Sequence, residues 1–128
     1  MAVPVSRASR RRPDDVRARI LLRSAILLLL EEQESHGYEL VGRLAELGCE
    51  ITSTTGSLYR CLRAMEEEGL VSSYWSIADG GPARRVYAIT KVGEEQLAQS
   101  IRSLLRLLRT LGEMLNRYRQ GGRGSSDR

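Results

Sequence analysis

The sequence has almost nothing from which to build a metal or nucleophilic site. Its 128 residues hold one histidine, His36, and two cysteines, Cys49 and Cys61, with no CxxC spacing. A structural zinc site takes about four ligands at short spacings, so no metal site and no cofactor is expected. No nucleophile stands in pattern with the lone histidine, which reads as a helix-start or packing residue. Neither a P-loop nor a glycine-rich dinucleotide fingerprint occurs, and an enzyme is therefore not expected. Long apolar runs are missing too: the longest, Ala25–Leu30, is far below the roughly 20 residues that cross a bilayer. Arginines near the N-terminus are not followed by an apolar h-region, so no signal peptide, no membrane partner and a cytoplasmic location are expected. No internal repeat is present.

What the sequence does have is one domain's worth of chain and 41% hydrophobic residues, enough for a modest core. Charge is distributed unevenly. Residues 1–23 carry seven arginines against Asp14 and Asp15, a net of +5, while the whole chain is only +4. Residues 1–13, with Arg10, Arg11 and Arg12, read as a disordered arginine-rich arm. Such an arm either tracks phosphates and reaches a minor groove or is a solvated tail that aids solubility. Cys61 falls among apolar residues and reads as a small core residue, with a redox role for either cysteine the minor alternative.

Periodicity organises the rest. Val16–Gln33 reads as a first helix, capped by Asp14 or Asp15, with Leu22, Ile26, Leu29 and Leu30 on one face and Leu27 and Leu28 broadening it. Ser35-His36-Gly37 breaks the pattern, and Ser35 is a plausible N-cap for a helix from Tyr38 to Leu47 that stops at Gly48. Thr52-Ser53-Thr54 offers caps for a third helix running to about Glu68, with Leu58, Leu62 and Met65 on its apolar face. Its other face carries Thr55, Gly56, Tyr59, Arg60, Arg63 and Glu67. The period then changes to two over Val71–Ile77 and again over Arg84–Ile89, around an Asp79-Gly80-Gly81-Pro82 turn, which predicts a two-stranded hairpin. Thr90 stands as N-cap of the last helix. There Leu97, Ile101, Leu104, Leu108, Leu111, Leu115 and Tyr118 are spaced 4, 3, 4, 3, 4, 3, an a/d seam over three heptads. That seam either packs on a second copy, making a homodimer, or folds back on its own domain. Gly121–Arg128, rich in glycine and serine, reads as a disordered tail.

Helix, helix, helix, strand, turn, strand, long helix is the layout of a winged helix-turn-helix: mainly α with a small β-hairpin, plus a long C-terminal dimerisation helix. A recognition helix needs an apolar face to hold it and a polar face for base edges, and the third helix has both. Thr54, Thr55, Ser57, Tyr59, Arg60 and Arg63 can donate to phosphates or bases of double-stranded DNA, and a helix N-terminus attracts phosphate through its free amides. Arg84 and Arg85, just after the wing tip, can contact backbone or minor groove. Each also has a plain reading: Arg60 and Arg63 can pair with Glu66 or Glu67 along the helix, and Arg84 and Arg85 can keep an edge strand soluble.

Four motifs in register resemble PadR-type regulators. His36-Gly37-Tyr38-Glu39-Leu40 resembles their HGYE motif, and Gly56-Ser57-Leu58-Tyr59 through Glu66 resembles their recognition helix. Glu68-Gly69-Leu70-Val71 resembles the lead into the wing, and Gly81 through Thr90, with Gly93 following, resembles the wing and its exit. The match runs from about Ser24 to Leu97. The resemblance implies a homodimeric regulator, usually a repressor, that binds an inverted repeat and is released by a small-molecule effector or stress signal. It implies further that Tyr38 contacts phosphate, that Thr55, Ser57, Tyr59 and Arg60 face the major groove, and that Arg84 and Arg85 serve the wing. Two features depart from the pattern. Arg60 stands where many relatives have proline. The dimer helix also lacks the tryptophan that stacks on flat drugs in some relatives, since the only tryptophan, Trp75, lies in the first wing strand and reads as core or wing packing. The expected domains are 1–13 (arm), 14–90 (winged helix-turn-helix), 91–120 (dimerisation helix) and 121–128 (tail). The alternative is a protein-interaction module in which the winged body is a scaffold and the long helix binds another protein.

Overall fold

The computed structural model describes residues 13–49, 55–77 and 80–126. The arm arginines Arg10, Arg11 and Arg12, together with Thr54 and Asp79, lie outside the described residues. The elements in chain order are helix α1 (Pro13–Glu32), strand β1 (Ser35–His36), helices α2 (Gly37–Leu47) and α3 (Thr55–Glu67), strands β2 (Val71–Ser76) and β3 (Arg84–Ile89), and helix α4 (Lys91–Ser126). The chain divides into two units, Met1–Leu97 and Ala98–Arg128.

In the first unit α1 is the central element. Ala25, Ile26, Leu27, Leu29 and Leu30 are all buried, so the helix is covered on most of its circumference, as an all-round apolar helix must be. Leu40 and Leu44 of α2, Leu58, Leu62 and Met65 of α3, and Val71 of β2 complete a fully buried core around it. Arg43 of α2 closes the end of α1, donating to the Gln33 carbonyl (3.0 Å) and to the Leu29 carbonyl (2.6 Å), which also accepts from the Gln33 amide. At the far end of α3, Arg23 of α1 pairs with Glu68.

Helices α2 and α3 stop in the same way. Gly48 (φ +91°) and Gly69 (φ +81°) take the left-handed conformation that other residues adopt at a cost. Their amides bond to Ala45 and Glu66, and the next amides, of Cys49 and Leu70, reach back to Leu44 and Met65. These are Schellman closures, in which Leu70 and Met65 meet in the core. The closure after α3 turns the chain directly into β2.

The sheet has three strands in the order β1-β3-β2, all antiparallel. The hairpin of β2 and β3 is as expected, but the third strand is a correction. Ser35 and His36 pair with Tyr87 and Val86, so the expected break in the pattern is a strand. Two residues are too short to display a period, and the strand exists only because β3 lies beside it. With Ser35 in the sheet, the cap of α2 moves to His36. Ser35 still contributes, its hydroxyl donating to Glu39 (3.2 Å) alongside the His36 amide (2.9 Å).

Thr90 caps α4, its hydroxyl accepting from the Gly93 amide at 3.0 Å. The turn is tied down by the Thr90 hydroxyl on the Gly69 carbonyl (2.6 Å) and the Thr90 amide on the Leu70 carbonyl (3.1 Å). Gly93 is required by this close approach: a Cβ there would collide with the Leu70 carbonyl oxygen and lie 2.7 Å from Ile89 Cγ1. Gly93→Ala is expected to cost about 2–3 kcal/mol through overpacking, lowering the thermal midpoint by roughly 10 °C. Calorimetry of the variant checks this; an unchanged midpoint would mean that α4 does not enter against Leu70.

One turn further on, Leu97 is 4% exposed and joins the same core. This corrects its assignment to the dimer seam, because the first two turns of α4 serve the winged body. The second unit, by itself, is an amphipathic helix. Ile101, Leu105, Leu108, Leu111, Leu115 and Tyr118 are exposed, whereas Leu104 is half-buried. Elsewhere on this helix Arg117 pairs with Glu113 at 2.8 Å, four residues apart. The helix runs to Ser126, past the expected end at residue 120. Glycine costs a helix only about 1 kcal/mol relative to alanine, and no proline follows to break it.

Candidate nucleic-acid interface

The α3 helix is held by one face. Leu58, Leu62 and Met65 are fully buried, and the opposite face presents Tyr59, Arg60, Arg63 and Glu67 to solvent. Thr55 opens the helix, followed by half-buried Gly56 and Ser57. Neither Arg60 nor Arg63 makes an ion pair among the described residues. Arg60 donates to Ser57 one turn back, at 3.3 Å. Glu66 turns away from Arg60 and Arg63, accepting from Ser73 of β2 at 2.8 Å and lying 3.9 Å from Arg85, while Glu67 stays exposed on their face without an ion pair to either among the described residues. A helix face with two guanidinium groups, neither of them ion-paired among the described residues, and the single carboxylate of Glu67 therefore faces solvent.

Tyr59 is placed by a glycine. A Cβ on Gly37 would lie 2.5–2.8 Å from the ring carbons and hydroxyl of Tyr59. The ring therefore rests on the bare backbone where α2 begins. The next residue, Tyr38, is 53% exposed on the first turn of α2. Its ring is stacked on His36 (centroids 5.6 Å, planes 2° apart). The guanidinium of Arg84 of β3 lies over the same ring, 5.1 Å from the centroid, and donates to its hydroxyl. Helix α3, the start of α2 and the wing strand β3 thus meet around Gly37 and Tyr38. Among the predicted residues the structure brings Tyr38, Tyr59 and Arg84 together.

Arg85 goes elsewhere. It donates through Nε to Ser73 Oγ at 2.8 Å and covers the Trp75 ring at 5.5 Å. Trp75 is 63% exposed, so it belongs to the wing surface and not to the core. Sequence reasoning missed the Glu66–Ser73–Arg85 network and the Gly37–Tyr59 contact. The only available signal for the second was a glycine inside a helix-start motif.

Several ionisable groups of the winged body are shifted by their surroundings. The His36 amide holds the Glu39 carboxyl below its ordinary value, overcoming a smaller upward pull from burial, with help from the Ser35 hydroxyl. Burial pushes the Tyr87 hydroxyl up, and it pushes both cysteine thiols up, at Cys61 against a smaller downward pull from Arg23 and Arg19. A raised thiol pKa leaves little thiolate for redox chemistry. Among the described residues no three histidine, cysteine or acidic side chains gather as a metal site would need. No helix among them is long and apolar enough to cross a membrane.

Three helices, a two-residue strand, and a hairpin returning beside it define a winged helix-turn-helix protein. The chain belongs to the transcriptional regulator PadR-like family, whose model matches residues 26–99. It is 35% identical over 91 residues to the transcriptional regulator Rv3488 of Mycobacterium tuberculosis, covering 71% of this chain and 82% of that one. It is 41% identical over 78 residues to "Probable transcriptional regulator Rv1176c" of the same organism, where the match covers 60% of this chain but only 41% of that longer protein. Among solved structures, a PadR-like regulator from Bacillus cereus gives a TM-score of 0.67 at 32% identity, covering 74% of this chain and 91% of that one. PadR of Bacillus subtilis, solved in complex with operator DNA, gives 0.55 at 26% identity, covering 62% of this chain and 46% of that one. The family and these relatives are regulators of transcription, not enzymes.

Proposed function

We propose that this chain is a transcriptional repressor that binds an inverted-repeat operator as a homodimer and leaves it when a small effector binds. The observation that carries the DNA-binding part is the meeting of α3, the α2 start and the wing at Gly37 and Tyr38, beside an α3 face whose two arginines make no ion pair among the described residues. In this reading Thr54, Thr55, Ser57, Tyr59, Arg60 and Arg63 address the major groove, Tyr38 holds a phosphate, and Arg84 and Arg85 serve the wing. The Bacillus subtilis relative, solved on its operator, supports the same use of the fold. The dimer is supported by the exposed seam of Ile101, Leu108, Leu111, Leu115 and Tyr118 at heptad spacing. Repression, the inverted repeat and release by an effector rest on resemblance to the family.

Selection of bound duplexes from a random pool tests the proposal. An enriched inverted repeat is expected. Affinity for it should fall with salt at a log–log slope of about −0.9 per phosphate contacted. No enrichment at low salt would overturn DNA reading and turn attention to a protein partner for the long helix.

A further inference from the structure

We infer that the two adjacent wing arginines have different jobs: Arg84 meets DNA phosphate, whereas Arg85 is a positioning residue that braces the wing against the recognition helix. The inference rests on the DNA-binding reading above.

Consecutive strand residues point to opposite faces of a sheet. On β3 this sends Arg84 to Tyr38 of α2 and Arg85 to the side occupied by α3. Arg84's partners are a neutral phenol and its ring, and among the described residues it makes no ion pair. Its charge is uncompensated. Arg85 is held by a closed set. Its Nε donates to Ser73 Oγ (2.8 Å), the same hydroxyl donates to Glu66 Oε2 (2.8 Å), and Nη2 lies 3.9 Å from Glu66 Oε1. The serine accepts once and donates once, so the relay is chemically consistent. The same guanidinium lies over the ring of Trp75, its partner across the strands.

The carboxylate in this set belongs to α3. Glu66 lies one turn beyond Arg63, so fixing Glu66 to both wing strands fixes the rotation of the recognition helix relative to the wing. Both must meet one duplex at once, and their relative setting decides whether the contacts can be made together. Arg85 and Glu66 are partly exposed, so the pair adds little to stability and its removal leaves the fold intact.

The consequences can be measured on the full chain with the operator recovered from the selection. An arginine that meets phosphate releases counterions, whereas one already neutralised by a carboxylate does not. Arg84→Gln should therefore reduce the magnitude of the salt slope by about 0.9. Arg85→Gln should weaken binding about five- to tenfold with the slope unchanged. Glu66→Gln should weaken binding too, although removing a negative charge from the DNA-facing helix would by itself tighten it. The double variant should be no weaker than the weaker single one, since both break one network. Trp75, the only tryptophan, gives a second readout in the free protein: Arg85→Gln should lower its fluorescence anisotropy.

Loss of about one unit of slope in Arg85→Gln, tighter binding by Glu66→Gln, or additive losses in the double variant would overturn the inference while leaving DNA binding in place. Failure of the unsubstituted protein to bind any duplex would overturn the DNA-binding reading, and the inference with it.

Discussion

Leu104→Glu combined with Leu111→Glu is expected to give a monomer that no longer holds its operator. On α4 these positions belong to the 4, 3, 4, 3 seam, in which Leu111 is exposed and Leu104 half-buried in the single chain. In a symmetric dimer each substitution occurs twice. Four buried leucines at about 2 kcal/mol each amount to roughly 8 kcal/mol, or more than about five powers of ten in the dimer constant. The new carboxylates add repulsion. DNA affinity should fall with it, because a dimer engages two half-sites about one helical turn apart and a monomer only one. Sedimentation gives the oligomeric state and gel shift the affinity. A dimer surviving in sedimentation would defeat the heptad argument and leave the stripe for another partner. Leu97 makes a useful contrast: buried in the winged body, it should reduce stability when truncated, not dimerisation.

Arg60→Ala with Arg63→Ala should abolish operator binding and leave the dimer intact. Both side chains are exposed on α3 and neither makes an ion pair among the described residues. A good side-chain contact to a base is worth about 1–3 kcal/mol, so losing both should weaken binding by roughly a hundredfold or more. The core face of the helix is untouched, so the thermal midpoint should hold. If the double variant binds the operator normally, α3 is not the recognition helix.

The heptads of α4, the apolar stripe of α3, the closures at Gly48 and Gly69 and the cap at Thr90 are local. Each depends on residues within a turn or two, and local geometry leaves a period or a punctuation mark in the sequence. The family motifs added the roles. Family membership and the order of every element but β1 were therefore legible in the sequence.

Contacts between distant residues leave no such mark. The two residues of β1 have no period, and only β3, some fifty residues later, makes them a strand. Gly37 looks like a helix-start residue until Tyr59 is found resting on it. Arg84 and Arg85 are the same residue type side by side, and their separation into an uncompensated charge and a neutralised one depends on which face of β3 meets α2 and which meets α3. Leu97 kept the heptad phase perfectly and is nevertheless a core residue, because periodicity states which face of a helix is apolar and not what covers it. Sequence alone thus settled the helices, the hairpin and their order, since these follow from short-range backbone and patterning rules. Tertiary packing decided which charges remain available for a ligand, since that depends on partners the chain brings from far away.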